Sequence, residues 1–214
     1  MKYQYLKILI FALFITITNS GLTQEDNTAS KILNDFSSKN QSFNTIYAKF
    51  SFSLENKDED MLDSFEGEII MKGEKYKLLI MDTETYFDGK SMWSYLPDFD
   101  EASISEPDED ESSMFNPSKI FNIYKEGFTN NYNGEKDGKY QISMIPDGIE
   151  TDYSKIDVQI IKKTLQLQSV KYYGTDGNDY NLNIKSFKTN IAYADSTFSF
   201  DPKQHPGVEI IDLR

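Results

Sequence analysis

The sequence has no cysteine, so it can build neither a disulfide framework nor a thiolate nucleophile or metal site. Its single histidine, His205, stands beside Pro206 near the end of the chain. It therefore has no imidazole partner for a metal pair or a nucleophile dyad. No Gly-x-Ser-x-Gly elbow and no glycine-rich phosphate loop occurs. Basic residues are also scarce: Lys and Arg number 22 against 35 Asp and Glu, for a formal charge of −13. A chain that acidic is not drawn to nucleic acid or to an anionic lipid surface. Its carboxylates are too many for any one pair to stand out as acid–base machinery. Asp108-Glu109-Asp110-Glu111 lacks the alternating ligands and glycine of a calcium loop and reads as a solvated charge run. The stretch TDGND at 175–179 reads as a hairpin turn. These absences predict no catalytic, cofactor-binding or metal residues, and a protein that is not an enzyme.

What is present begins with a targeting pattern. Lys2 and Lys7 precede an apolar run from Ile8 to Ile17, broken only by Thr16, and small or polar residues follow at Thr18 to Gly21. This order predicts a secretory signal peptide over residues 1–22, cleaved within 20–24, whose apolar core is too short to span a bilayer. No cysteine follows the run, so no lipobox is present. Cleavage removes two lysines and leaves the exported chain more acidic still.

The remaining residues, 25–214, read as one domain. Ile32, Leu33 and Phe36 form an apolar stripe, extended by Phe43, in a helix predicted over 25–44. The period then changes. Ile46, Ala48, Phe50, Phe52 and Leu54 alternate with polar residues, the signature of a strand with one dry face. Turn signals such as Lys72-Gly73, Asp88-Gly89, Pro97-Asp98, Asp137-Gly138 and Asp176-Gly177 recur at short intervals. Strand-length runs lie between them at 65–71, 76–81, 140–145, 156–161, 165–173 and 180–187. The pattern predicts a large, curled antiparallel sheet. Residues 117–125 read as a short apolar helix containing Ile120, Phe121 and Tyr124, flanked by Met114, Phe115 and Phe128. Two arrangements bury the dry face: helices that plug a filled core, or helices that cover a cavity. Composition alone leaves both open.

The segment FDGKSMWSYLPD at 87–98 resembles the DGK-x-x-W-x-Y-x-P stretch of the LolA-type outer-membrane lipoprotein carriers. The residues ILNDFSSKNQSFNTIYAKFSFSLEN, FEGEIIMKGEKYKL and FSFDPKQHPGVEIIDLR are similar to other parts of that family, in the same order. NPSKIFNIYKEGF and the closing Asp-Leu-Arg look like the form taken in Bacteroidota-type members. The resemblance implies an unclosed antiparallel β-barrel, a half-barrel, with a lid of short α-helices over a hydrophobic cavity. It implies a monomeric periplasmic carrier that binds the acyl chains of lipoproteins as cargo. Such a carrier takes them from an inner-membrane ABC exporter to an acceptor at the outer membrane. A periplasmic binder or sensor of another lipid on the same fold is the alternative.

By position, the resemblance places Phe50, Phe52, Leu54, Ile69, Met71, Trp93 and Tyr95 on strands that form or border the lining. The same correspondence puts Leu33, Phe36, Ile120, Phe121 and Tyr124 on the lid. Which parity of residues 91–96 faces inward stays open, because Met92 and Trp93 are both apolar. The family's lid latch is an Arg in a Lys-Arg-Pro turn, and this chain has Gly73-Glu74 at the Arg-Pro positions. Lys72 or Lys75 is the available substitute, without the fixed fork of a guanidinium. The aromatic surface around Trp93 is expected to touch acyl chains.

Overall fold

A computed structural model describes residues 21–56, 58–106, 123–125 and 127–214. The expected signal peptide up to residue 20, and Ile120 and Phe121 of the expected lid, lie outside the described residues. Helix α1 spans Gly21–Gln41 and buries Ala29, Ile32, Leu33 and Phe36, spaced three and four apart along one face. It ends three residues before the position read from the sequence. Phe43 therefore sits in the turn that follows, edge-on to Phe187 at 6.5 Å.

Among the described residues twelve strands follow: β1 (Ile46–Asn56), β2 (Met61–Lys72), β3 (Lys75–Ile80), β4 (Thr83–Phe87), β5 (Met92–Leu96), β6 (Glu101–Ser105), β7 (Phe128–Lys136), β8 (Lys139–Pro146), β9 (Tyr153–Ile161), β10 (Gln166–Gly174), β11 (Asn178–Thr189) and β12 (Glu209–Asp212). They form one sheet in the order β12-β6-β5-β4-β3-β2-β1-β11-β10-β9-β8-β7. The protein is mainly β, and its sheet does not close, since β12 and β7 end the order without pairing to each other. Neighbours are antiparallel except β12, which runs parallel to β6. Of the expected helices, α1 is the only α-helix among the described residues, with residues 123–125 forming a single 3-10 turn.

Three of these strands were not read from the sequence. β4 escaped because the hairpin turn before it is made by Met81 and Asp82, at φ 51° and 57°, with no glycine or proline to mark it. β7 is asparagine-rich and carries a bulge between Tyr132 and Glu135, which hides its alternation. β12 has only four residues. The turn at Asp88-Gly89 is also looser than a two-residue hairpin. Four residues separate β4 from β5, and the Asp88 carboxylate accepts from the backbone N–H of Lys90 and Ser91, both at 2.9 Å.

The core divides between the two faces of the sheet. The inner face, under α1, holds the larger cluster. The outer face of β4–β6 holds a smaller one, where Tyr86, Tyr95 and Ala102 pack with Phe200 from the C-terminal segment.

Candidate apolar cavity

Register and bulges decide which side chains face inward. In β1 they are Ile46, Ala48, Phe50, Phe52 and Leu54; their β2 partners Met71, Ile69, Gly67, Phe65 and Asp63 stand opposite. In β11 a bulge opposite Lys49/Phe50 pairs Ile184 with Phe50 and Phe187 with Ala48. That extra residue brings both Ile184 and Phe187 to the inner face, which strict alternation would forbid. A bulge in β10 does the same for Leu167 and Val170. Gly67 serves one of these side chains directly. A Cβ there would lie 2.5 Å from the Phe50 ring, so only glycine lets that ring cross β2.

These residues line an open apolar cavity of about 520 Å³ over β10, β11 and β1–β3. Phe50, Phe52, Leu54, Ile69 and Met71 line it, together with Leu78, Ile80, Leu182 and Ile184, which sequence reasoning did not single out. A signal for the last two was present, because Tyr180, Leu182 and Ile184 alternate with Asn181 and Asn183. The buried phenol of Tyr172 also lines the cavity; burial, reinforced by nearby Tyr153, pushes its pKa up, so it is neutral near pH 7. One lining residue carries a carboxylate: Asp63, exposed at the end of the row.

Beside the cavity the same face is solid. Leu33 and Phe36 of α1 press onto Met144, Ile156, Val158, Leu167, Val170 and Tyr172, leaving a crevice of only about 20 Å³. The phenol of Tyr124 joins this region and donates to Asn34 Oδ1 of α1 at 3.0 Å. The plug and the cavity of the sequence reading therefore coexist on one sheet.

Two expectations are corrected. Trp93 and Tyr95 do not line the cavity. The register aligns Met92 with Phe87 and Tyr76, on the inner side, and Trp93 with Tyr86, on the outer side. That settles the parity of residues 91–96. The rings of Trp93 and Tyr95 lie 5.4 and 5.1 Å from Phe200, and Tyr95 lies 4.4 Å from His205. The aromatic segment touches the protein's own C-terminal segment.

The lysines of the β2–β3 turn do not reach α1. Lys72 and Lys75 both grip the carboxylate of Asp195, at 2.6 and 3.1 Å, in a 3-10 turn that packs against β3. Their hydrogen bonds and charges hold the Asp195 carboxyl below the usual carboxylate range. Gly73 between them takes φ +60° and supports the turn. The sequence has a single arginine, Arg214, and it is bound to Asp212 at 2.6 Å.

Among the described residues, no group of three or more potential ligands gathers to hold a metal ion, and no helix is long and apolar enough to cross a membrane.

The family described as outer membrane lipoprotein carrier protein LolA matches residues 19–173. The chain belongs to this family. The match ends within β10, so β11 and the C-terminal segment lie beyond it. No curated protein matches the chain. Among solved structures, an uncharacterized conserved protein from Thermus thermophilus is similar in fold, at a TM-score of 0.57 and 11% identity over 86% of this chain and 99% of that one. A LolA superfamily protein from Nitrosomonas europaea gives 0.44 at 9% identity, over 80% of this chain and 97% of that one. A chain of the Pseudomonas aeruginosa MucA/MucB complex gives 0.49 at 14% identity, over 82% and 62%.

Proposed function

We propose that this protein is a periplasmic carrier that binds the acyl chains of lipoproteins in the β10–β11–β1–β3 cavity. It would shuttle them from an inner-membrane exporter to an outer-membrane acceptor, without catalysis and as a monomer. The observation that carries the reading is the cavity itself, about 520 Å³ lined almost wholly by hydrocarbon and aromatic rings, in a chain of the LolA family. A cavity of that size and dryness falls among the pockets that take small apolar ligands.

The physics of transfer fits. Acyl chains gain about 0.8 kcal/mol per methylene on leaving water, so a chain of about sixteen carbons faces a barrier of about 12 kcal/mol against unassisted transit. A bilayer and this cavity are both dry, so moving a chain from one to the other nearly cancels that term. Direction then comes from the energy source at loading and from how the cover opens. Leu33, Phe36 and Tyr124 seal the solid half, and we assign them, with Ile120 and Phe121, to the movable cover. The Lys72–Asp195–Lys75 clamp fastens the C-terminal segment instead, so this carrier would need a latch other than the turn at Gly73.

Volume favours a second reading strongly enough to keep it. A water molecule takes about 30 Å³ of liquid and a methylene is of similar size. The cavity therefore holds roughly one sixteen-carbon chain, and cargo with more chains requires α1 to lift. A periplasmic binder or sensor of a single-chain lipid would need no such movement. Native mass spectrometry with lipid extraction, on protein recovered from the periplasm of its own organism, separates the two. Lipoprotein bound one to one supports carriage, and a small lipid supports the second reading. A protein that never carries lipid contradicts both.

A further inference from the structure

The inner face of the sheet is organised in transverse rows, and one of them breaks its own rule. Reading across the registers, Met144, Ile156, Tyr172, Tyr180, Leu54 and Asp63 stand side by side. Five are apolar or aromatic. The sixth is a carboxylate, at the position in β2 where alternation calls for an apolar side chain facing the cavity. Next to it Leu62, on the opposite face, is 68% exposed. The pair is inverted: exchanging the two residues would put the leucine in the cavity and the charge in water. A charged residue on the cavity face, beside an apolar one facing solvent, departs from the pattern of the row and points to function.

The Asp63 side chain makes no hydrogen bond and no ion pair to any described residue. Its outer-face neighbours on β2 differ: Glu66 is bound by Lys185, and Glu68 by Tyr47 and Lys49. A ligand whose chain lies on Phe52 and Phe65 brings its head to the row that Asp63 ends. Closing the cavity around such a chain also removes water from one side of the carboxylate, which strengthens its attraction for a cation.

We propose that Asp63 is a specificity residue that receives a protonated amine at the head of the bound lipid. The ligand class it selects is an acylated molecule with a free ammonium group beside its ester-linked chains, such as a lipopeptide whose terminal cysteine carries S-glyceryl acyl chains and an unmodified α-amine. An α-amine is mostly protonated near pH 7. Acylating that amine removes the charge and leaves Asp63 without a partner. The inference rests on the carrier reading and narrows its cargo.

The test uses two lipopeptides of one sequence, each with two palmitoyl chains on the S-glyceryl cysteine, one with a free α-amine and one N-acetylated. Dissociation constants are measured on the purified protein and on Asp63→Asn at low and high salt. We expect the free amine to bind about two- to fivefold more tightly at low salt, as for a partly exposed ion pair. That advantage should shrink in high salt and vanish in Asp63→Asn, while the acetylated form binds both proteins alike. Equal affinities for the two lipopeptides in the unaltered protein overturn the inference and leave the carrier reading standing. A preference that survives in Asp63→Asn also overturns it. Failure of both lipopeptides to bind contradicts the carrier reading, and the inference falls with it.

Discussion

One row of the sheet, Ile142, Val158, Val170, Leu182, Phe52 and Phe65, passes from a solid core into a cavity without any change in residue class. At the β8–β10 end, Leu33 and Phe36 come down from α1 and leave about 20 Å³. At the β11–β2 end nothing described fills the space, and about 520 Å³ remains. The difference is not one of hydrophobicity. It lies in where the helix seats, since α1 packs against β7, far along the sheet from β1–β3. Apolar patterning tells which face is dry; the cover decides whether that face is filled.

The largest effect should come from the solid side. Phe36→Ala removes a ring that is 3% exposed and should cost about 3–5 kcal/mol of unfolding free energy, read from the denaturant midpoint. Leu182→Ala, in the same row but against the cavity, should cost at most about 2 kcal/mol, because no new void is opened in tight packing. Equal losses would break the comparison.

Adding bulk reverses the order. Ala29, fully buried in α1, has no room to grow, and Ala29→Leu should destabilise by about 1–3 kcal/mol through overpacking. Ala48→Phe projects into the cavity and should stabilise by about 0.5–2 kcal/mol. It should also weaken binding of a fluorescent fatty acid by about tenfold, or about 1.4 kcal/mol. A folded Ala48→Phe protein that binds the probe as before would place the ligand elsewhere.

A smaller effect sits at the seam between cover and sheet. Tyr124→Phe deletes the hydrogen bond to Asn34 and should cost about 1 kcal/mol. Hydrogen exchange should quicken in α1 more than in β1 and β2.

The smallest effect concerns pH. Asp157 lies on the outer face of the solid half. Burial raises its pKa, but hydrogen bonds from Ser143, Lys155 and Tyr173, with the Lys155 charge, outweigh that and hold it below the usual carboxylate range. A depressed carboxyl contributes stability above its unfolded pKa and loses it as pH falls through the folded value. Unfolding free energy should therefore fall in the acid range below the ordinary Asp value, with a shallower slope in Asp157→Asn.

Much of the fold was legible before any coordinates. Even-numbered apolar residues from Ile46 to Leu54 gave the β1 inner face directly, and the stripe at Ile32, Leu33 and Phe36 gave α1. The bulges were not legible, because they move Phe187 and Val170 to a face that a period of two assigns otherwise. Nor was the parity of Trp93, since an apolar residue on either side fits a strand covered on both faces. The partner of Lys72 and Lys75 lay 120 or more residues away in the chain, beyond any local pattern. Asp63 was visible as a residue but not as an exception, until the register showed what stood beside it.

The central claim is that a first acyl chain enters the hollow half and leaves the solid half undisturbed until α1 lifts. Methyl NMR of the protein titrated with a palmitoylated lipopeptide tests it most directly. The account predicts shifts at Ile69, Leu182 and Ile184, with Ile142, Ile156 and Ile160 unchanged until α1 is displaced. Shifts confined to Ile142, Ile156 and Ile160, or none at all at saturating ligand, would contradict it.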